Sequence, residues 1–460
     1  MPDPTRILIL GGGFGGLYAA LELERTLARR KDIEVCLVNR DNFFLFTPML
    51  HEVAASDLDI THIVNPVRKL LKRVRFFCGG AESIDLDKRI VHVWHGEEHH
   101  PHEMPFDHLV LALGSVTNFH SLPGVAERAM TMKTLGDAIA LRNRIIAHLE
   151  EADFECCASI RTPLLTFVVA GGGFAGVETA AAINDFIHEA LPFYSNIQRA
   201  DTRVVLVHSG QAILPELSEK LGRYAQTILS RRGVDIRLGV RLASYDGQQV
   251  TLSDSAAIAS RTLIWTAGTA PNPLLATLPC VQERGRLVVN EHLQCPDHPN
   301  VWALGDCAVV PDIKRGGSHP PTAQHALREG RIAARNIAAA LKGRPLKPFK
   351  FTTLGQLASI GRRTGVANIL GVNFSGFLAW WLWRSIYLSK LPRFEKKFRV
   401  ALDWTLDLFF SKDLVQFKTA RDTVDAHRPS APTVSDACPV PADHATARRR
   451  EEPALAGHDR

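Results

Sequence analysis

The chain has 460 residues, of which 46% are apolar and 22% are charged, and its formal net charge is +6. This length is too great for one ordinary core, so we expect two or three domains in a globular chain. No basic stripe with interleaved aromatic residues precedes residue 374, which argues against nucleic acid as a partner. The cations cluster near 384–399 and 447–450 instead, and such clusters favour an anionic membrane surface.

The cysteines and the N-terminal segment indicate a compartment. None of the eight cysteines forms a CxxC or CxxxxC pair, and most lie in apolar segments, where a thiol packs as a small apolar group. The chain enters an apolar run at Arg6 without the charged and apolar regions of a secretory signal. We therefore expect a reducing, cytoplasmic location of the bacterial type.

The first predicted unit is a strand, a glycine turn and a helix. A continuous apolar run leads into Gly11, Gly13 and Gly16 and then into a helical pattern rich in Ala and Leu. In such a GxGxxG turn, the glycines permit a tight bend, let backbone N–H groups approach a pyrophosphate and let the helix pack on the strand. The next strand, 33–39, ends at Asn39, where such units usually place an acid for the ribose hydroxyls.

A second unit of the same kind follows. Gly171, Gly173 and Gly176 repeat the pattern, and the strand 202–209 carries His208 at the position of the acid. Two such turns, each in a complete βαβ context, predict two dinucleotide-binding domains; the alternative is two purely structural turns. A neutral histidine would bind a ribose hydroxyl and a protonated one would accept a 2′-phosphate, so NADH is favoured while NADPH stays open.

Three apolar strands ending at glycine, 106–115, 261–269 and 300–311, continue the predicted α/β part, and 317–343 predicts a loop followed by a long helix. Between the first two units, 92–104 holds five histidines. Their spacing fits no zinc pattern, and Gly96 and Pro101 indicate a hairpin loop. We therefore predict a solvated loop rather than a metal site.

The C-terminal part changes in composition twice. Segment 345–371 predicts strands with turns, and 374–391 is rich in aromatic residues but too short and too charged to span a bilayer. In 394–412, apolar residues recur at helical spacing beside basic ones, which predicts a helix in the plane of a membrane interface. The alternative is a helix packed on the protein's own core or in a dimer interface. Residues 421–460 lack periodicity, which predicts a disordered tail.

Several motifs resemble known flavoproteins. LVLALGS (109–115), LIWTAGT (263–269) and ALGDCA (303–308) resemble motifs of the flavoprotein reductases with two dinucleotide-binding domains. NRDNFFLFTPMLHEVA, GGGFAGVE and AQHALREG resemble motifs of the type II NADH dehydrogenases, which are NADH:quinone oxidoreductases. The resemblance covers residues 5–415. Asn39 departs from the family's usual acid, and Arg328 stands where the family often has Gln.

The resemblance implies an α/β fold with two Rossmann-like domains arranged as in glutathione reductase. The implied divisions are 1–122 and 286–345 for the FAD-binding domain, 123–285 for an inserted NADH-binding domain, 346–415 for a membrane-docking region and 416–460 for the tail. The implied FAD contacts are Gly11, Gly13, Phe14, Gly16, Asn39, Arg40, Pro48, Ala112, Gly114, Asp306, Ala323 and Gln324. The implied NADH contacts are Gly171, Gly173, Phe174, Gly176, Glu178, His208 and Gly268.

Glu178 and Gln324 are the candidate catalytic residues. The Glu178 carboxylate would orient the nicotinamide or relay a proton; the alternative is an acid near the helix start, favoured by the helix dipole. Gln324 can donate and accept, so it suits a quinone carbonyl or a flavin edge; the alternative is an ordinary polar residue at a helix start. His51 and Glu52 are candidate proton shuttles, although partly buried polar residues are the commoner explanation.

The expected activity is FAD-dependent electron transfer from NADH to a membrane quinone in a respiratory chain, without proton pumping. We expect a peripheral protein on the cytoplasmic face of a bacterial inner membrane, docked through 374–412; a homodimer is left open. The segment after the first helix has no cysteine pair, so the flavin would reduce its acceptor directly. The alternatives are a sulfide:quinone oxidoreductase that uses Cys157 and Cys307, and a non-catalytic NADH sensor at the membrane.

Overall fold

The computed structural model describes residues 3–417. Its strands are β1 (Thr5–Leu10), β2 (Ile33–Asn39), β3 (Phe43–Leu45), β4 (Val64–Pro66), β5 (Arg75–Cys78), β6 (Gly80–Asp85), β7 (Ile90–His95), β8 (His100–Pro105), β9 (His108–Leu111), β10 (Ser115–Thr117), β11 (Met130–Thr131), β12 (Thr166–Ala170), β13 (Arg203–His208), β14 (Val234–Leu238), β15 (Leu242–Tyr245), β16 (Gln249–Leu252), β17 (Ala257–Ala259), β18 (Thr262–Trp265), β19 (Thr269–Pro271), β20 (Gln282–Glu283), β21 (Arg286–Val288), β22 (Gln294–Cys295), β23 (His298–Ala303), β24 (Ala308–Val309), β25 (Gly355–Ser359), β26 (Gly365–Ile369) and β27 (Val372–Gly376).

The α-helices are α1 (Phe14–Thr26), α2 (Leu50–Ala54), α3 (Val67–Leu70), α4 (Val125–Arg128), α5 (Leu135–Phe154), α6 (Ala158–Leu164), α7 (Phe174–Ala190), α8 (Glu219–Arg231), α9 (Ala323–Ala340), α10 (Phe377–Lys390) and α11 (Phe394–Leu406).

The first large sheet has the order β22-β23-β9-β1-β2-β5, and all its neighbours are parallel except β22 and β23. Its central strands are continuous apolar runs because both faces of the sheet are covered. Helix α1 packs closely against α9, where a side chain on Gly330 would overlap the Gly15 carbonyl oxygen. This contact fixes the start of α9 beside the first glycine turn.

The second large sheet has the order β11-β18-β12-β13-β14 and is entirely parallel. Its strands lie between Met130 and Trp265, whereas the first sheet takes strands from both sides of that interval. One dinucleotide-binding fold is therefore inserted into the other, as the resemblance implies. The five ranges given above stay a prediction.

The C-terminal part forms an antiparallel sheet, β25-β26-β27, followed by α10 and α11. The sequence predicts the strands of 345–371 but not the third, Val372–Gly376, because its residues read as the start of the aromatic segment. Trp383 and Trp404 anchor the two helices in the core shared with the second sheet. The expected helix over 394–412 ends earlier, at Leu406. The predicted tail over 421–460 lies outside the described residues.

The histidine-rich segment forms the hairpin β7–β8, so the predicted hairpin is confirmed, although most of its histidines lie on strands rather than in a loop. The His95 and His102 rings stack with their centroids 4.7 Å apart. Within residues 3–417, the group with metal-like geometry is instead Glu155, Cys156 and Cys157.

Candidate active site

The two glycine turns have the same backbone geometry. Gly11 and Gly171 have φ values of +101° and +121°, which favour glycine. A side chain on Gly16 would overlap the Gly11 carbonyl oxygen, and one on Gly176 would overlap the Gly171 carbonyl oxygen. Each turn therefore requires glycine for the bend and for the packing of its helix, and each helix begins with its N-terminus beside the turn.

The residues at the acid position accept hydrogen bonds from the turns. Asn39 Oδ1 accepts from Gly12 N at 2.8 Å, and His208 Nδ1 accepts from Gly172 N at 3.1 Å. Burial lowers the pKa of His208, so at neutral pH its ring is uncharged. An uncharged ring offers no cation to a 2′-phosphate, and this favours NADH over NADPH.

A cavity of about 580 Å³ joins the two turns. The predicted site residues that line it are Gly13, Phe14, Pro48, Ala112, Gly114, Asp306, Ala323, Phe174, Glu178 and Gly268. The predicted residues that do not line it are Gly11, Gly16, Asn39, Arg40, Gln324, Gly171, Gly173, Gly176 and His208. The second group consists mainly of turn residues and of the residues at the strand ends beside them.

The structure places the Gln324 amide outside this cavity. Its Nε2 donates to Gly355 O at 3.2 Å, and its Oε1 accepts from Leu354 N at 3.4 Å. Both polar atoms of the amide therefore help to hold the start of α9 against β25, and each can make one more hydrogen bond. The predicted contact of Gln324 with a quinone carbonyl or a flavin edge stays a prediction.

A polar network at the end of the first sheet was missed by sequence reasoning. Ser115 Oγ donates to Asp306 Oδ2 at 2.8 Å and accepts from Lys133 Nζ at 3.0 Å. A capping box positions Lys133, because its backbone N–H and that of Thr134 both donate to Asp137 at the start of α5. The sequence TLGD carries the signal for that box.

Glu178 lies at the other side of the cavity and is almost fully buried. Its Oε1 accepts from Ser359 N at 3.0 Å and from Trp383 Nε1 at 3.1 Å, and its Oε2 lies 3.8 Å from His51 Nδ1. Burial raises the pKa of Glu178 to about 8, so the carboxyl holds a proton at neutral pH. Sequence reasoning missed Trp383 and Tyr387, whose spacing of four residues placed them on one face of α10.

No cysteine lines this cavity among the described residues. Cys307 is buried behind it, where Sγ donates to the Leu111 and Leu304 carbonyls, and burial raises the pKa of its thiol to about 11. Cys157 lies at the start of α6 and is not part of the lining. The arrangement therefore lacks the thiolate that a disulfide relay or sulfide attack requires.

The residues present fit two dinucleotides. At Gly13 and Gly173 the missing Cβ leaves space beside the backbone of each turn. Both turns direct a helix N-terminus at the cavity, and Asp306 offers a carboxylate beside the first turn. Glu329 holds the backbone next to Asp306 in place by accepting a hydrogen bond from Gly305 N at 2.7 Å.

Comparison with known proteins agrees with this geometry. Residues 5–330 match the pyridine nucleotide-disulphide oxidoreductase family, and residues 354–413 match the NDH2 C-terminal domain. The type II NADH:quinone oxidoreductase Ndh of Mycobacterium tuberculosis is 33% identical over 422 residues, which cover 88% of each chain. The chain belongs to the type II NADH:quinone oxidoreductases. The resemblance of its motifs to this family is thereby confirmed.

One further relative and two solved structures are also similar to this type II NADH:quinone oxidoreductase. The demethylphylloquinone reductase NdbB of Synechocystis is 32% identical over 87% of this chain and 95% of its own. The NDH2 structure from Plasmodium falciparum in complex with NADH has a TM-score of 0.84 and 19% identity, over 90% of this chain and 100% of that chain. The sulfide:quinone oxidoreductase structure from Aquifex aeolicus has a TM-score of 0.65 and 17% identity, over 88% and 95%. The two structures establish the fold, and the expected fold class is confirmed.

Proposed function

We propose that the chain passes electrons from NADH through FAD to a membrane quinone without a thiol intermediate. The observation that carries this proposal is the single cavity that joins both glycine turns and contains Glu178 but no cysteine among the described residues. FAD, when bound, accepts a hydride from a nicotinamide and gives two electrons to a quinone. The relatives named as NADH:quinone oxidoreductases support the same donor and acceptor.

The chain's own residues would bind and orient the reactants. The first turn would hold the FAD pyrophosphate at the N-terminus of α1, with Asp306 accepting from the ribityl hydroxyls. The second turn would hold the NADH pyrophosphate at the N-terminus of α7, with the neutral His208 beside the ribose. The hydrogen bonds that the turns donate to Asn39 and His208 preorganise both loops.

Glu178 would provide a proton at the cavity. Its carboxyl is held by Ser359 N and Trp383 Nε1, and it carries a proton at neutral pH because burial raises its pKa to about 8. A protonated carboxyl can donate to a quinone oxygen as that oxygen gains electrons. The aliphatic side chain of Leu357 and the aromatic ring of Tyr387 on the cavity wall suit a lipid-soluble acceptor.

We also propose that α10 and α11 dock on an anionic membrane surface. On α11, Phe394 and Phe398 are 82% and 64% exposed, and Leu402 and Leu406 continue this stripe, while Lys396 packs inward with its Nζ on Thr61 O. An outward stripe of large apolar side chains beside basic residues is typical of interfacial helices. Within residues 3–417, no helix combines the length and the apolar character of a membrane span.

Flotation with lipid vesicles tests the docking proposal. The double variant F394S/F398S is expected to lose most of its flotation with vesicles that contain phosphatidylglycerol. Phe154→Ser is the matched control, because Phe154 is equally exposed but lies at the end of α5. Equal flotation of both variants would contradict docking through α11. A change in oligomeric state instead of flotation would indicate a homodimer interface.

The activity itself has a direct test. The purified protein is expected to be yellow, to lose its colour with NADH and to regain it with a short-chain quinone. Sulfide in place of NADH is expected to give no reduction. Rapid reduction by sulfide would favour the sulfide:quinone oxidoreductase, and NADH-dependent membrane binding without turnover would favour the sensor. The cytoplasmic location and the absence of proton pumping stay predictions.

A further inference from the structure

A second, smaller cavity is lined by His51 and by Ser359, whose N–H donates to Glu178. Its volume is about 30 Å³, enough for water, since one water needs roughly 10–15 Å³ measured in this way. His51 lines both this cavity and the larger one between the turns. Because a single side chain contacts both spaces, the small cavity is a candidate route between solvent and the reaction site.

Glu52 is the buried carboxyl at the small cavity, with 5% of its surface exposed. Its Oε2 accepts from Trp404 Nε1 at 3.1 Å, and its Oε1 lies 4.0 Å from Arg384 Nη2. Asp57 and Asp407 are the acids that face it. Burial outweighs the attraction of Arg384 and raises the pKa of Glu52 to about 8, so Glu52 carries a proton at neutral pH.

His51 directly precedes Glu52 in α2, lines both cavities and is also buried. Its Nδ1 is 3.8 Å from Glu178 Oε2, and its Nε2 has no hydrogen-bond partner among the described residues. Burial, opposed by Asp57, lowers the pKa of His51 to about 4, so the ring is neutral. A neutral imidazole accepts a proton on one nitrogen while it donates from the other, which is the property that a relay needs.

The outer end of the small cavity reaches the protein surface. Lys412 Nζ lies 2.7 Å from Asp57 and 3.6 Å from Glu189, and Glu189 accepts from the exposed Arg362 at 3.1 Å. These paired charges hold the C-terminal segment against α7 and keep the opening polar. The exposed Arg362 and the buried Glu52 line the same small cavity, so this cavity extends from Glu52 towards the protein surface.

We propose that this small cavity admits the proton consumed in quinone reduction, and that Glu52 passes it through His51 to Glu178. The inference rests on the proposed function. NADH, one proton and a quinone give NAD⁺ and a quinol: NADH supplies two electrons and one hydrogen as hydride, and water supplies the second proton. Each group in the relay gives one proton to the next and regains one from the group before it, ending with water in the small cavity.

Glu52→Gln tests the relay, because the amide oxygen still accepts from Trp404 while the proton is lost. Reduction of the flavin by NADH is expected to stay within twofold of the parent. Reoxidation by ubiquinone-1 is expected to slow roughly a hundredfold, the contribution of general acid catalysis, and its solvent deuterium isotope effect is expected to change. The matched control is Glu22→Gln, because Glu22 is 7% exposed and paired with Arg25 and Arg335 away from both cavities.

Two further measurements keep the inference falsifiable if Glu52→Gln folds poorly. Acetate is expected to restore reoxidation in Glu52→Ala, since a small acid can occupy the space of the side chain. In the unreacted protein, the infrared band of a buried protonated carboxyl, which shifts in D₂O, is expected to weaken in Glu52→Ala and to persist in Glu22→Gln.

Unchanged reoxidation and an unchanged isotope effect in Glu52→Gln would overturn the relay and leave the cluster as an anchor for the C-terminal segment. Absence of acetate rescue together with an unchanged infrared band would overturn it as well. If the parent protein is reduced by NADH but never reoxidised by quinone, the proposed function itself fails, and this outcome is distinct from a slow variant.

Discussion

The two glycine turns share a backbone and differ in what lies beyond them. In the first, the helix starts beside Asp306, Ser115 and Lys133, a charged network suited to hold a bound group. In the second, the helix continues to Glu178, whose buried carboxyl faces His51. In the proposed function, the same turn would serve retention of the bound group in one unit and reaction in the other. The glycines would allow a dinucleotide to bind, and the surrounding residues would determine its role.

Replacement of the first glycine in each turn gives the largest expected difference. Gly11→Ala places a Cβ against the Ala112 carbonyl at a φ of +101°, a strain of about 3 kcal/mol. This equals roughly a hundredfold in affinity, so the protein is expected to lose flavin and colour. Gly171→Ala is expected to keep its colour and to bind NADH roughly a hundredfold more weakly. Flavin content and NADH titration are measured for both variants. Loss of flavin in both would contradict the assignment of the first turn to FAD and the second to NADH.

Removal of the buried carboxyls is expected to have the next largest effect. Glu178→Gln is expected to keep flavin and to slow reoxidation by quinone by roughly a hundredfold, because it removes a proton donor. Glu329→Ala is expected to weaken flavin retention instead, because it removes the acceptor that holds Gly305 N beside Asp306. Stopped-flow reoxidation and flavin release by dilution measure the two. A catalytic defect in Glu329→Ala with intact flavin retention would contradict the division of roles.

Introduction of an acid at the end of β2 or of β13 is expected to have a smaller effect on nucleotide affinity. Asn39→Asp and His208→Asp each replace a neutral acceptor of the turn N–H by a charged one, which adds about 1 kcal/mol, roughly fivefold in affinity. The first is expected to tighten FAD and the second NADH. Equilibrium titrations of each nucleotide give the check, and tightening of the wrong nucleotide would break the assignment of the two turns.

The pH dependence of stability gives the smallest expected difference. The folded-state pKa of Glu178 is raised from 4.5 to about 8 and that of Glu329 to about 7. The folded protein therefore binds these protons more tightly, and the stabilisation is full below pH 4.5 and lost as pH rises through about 8 or about 7. The Tm of the parent relative to Glu178→Gln is expected to fall from pH 5 to pH 9. A Tm difference that rises with pH would contradict a buried, protonated carboxyl at Glu178.

Much of the fold follows from local sequence rules. The apolar runs before Gly11 and Gly171 predict parallel strands, and the GxGxxG spacing predicts the turns, because both depend on neighbouring residues alone. The helix of 317–343 and the hairpin of 92–104 follow for the same reason. The exposed stripe of α11 also follows, because its helical spacing is visible in the sequence.

The remaining features depend on contacts between distant segments. Lys133 enters the site because a capping box at Thr134 fixes it opposite Ser115. Trp383 enters the site because α10 packs on the sheet β25-β26-β27, from where its Nε1 donates to Glu178. The sequence favours His51 and Glu52 as ordinary buried residues, because the two cavities that meet at His51 are formed by distant segments. The amide of Gln324 satisfies the backbone of β25, a partner that no local pattern indicates.

The central claim, direct transfer without a thiol, is tested by an anaerobic stopped-flow experiment on the double variant C157S/C307S. The flavin is first mixed with NADH and then with ubiquinone-1, and its absorbance is followed. We expect bleaching and recovery at the rates of the parent protein. Bleaching without recovery, with the parent still recovering, would show that a cysteine carries the electrons and would contradict the account.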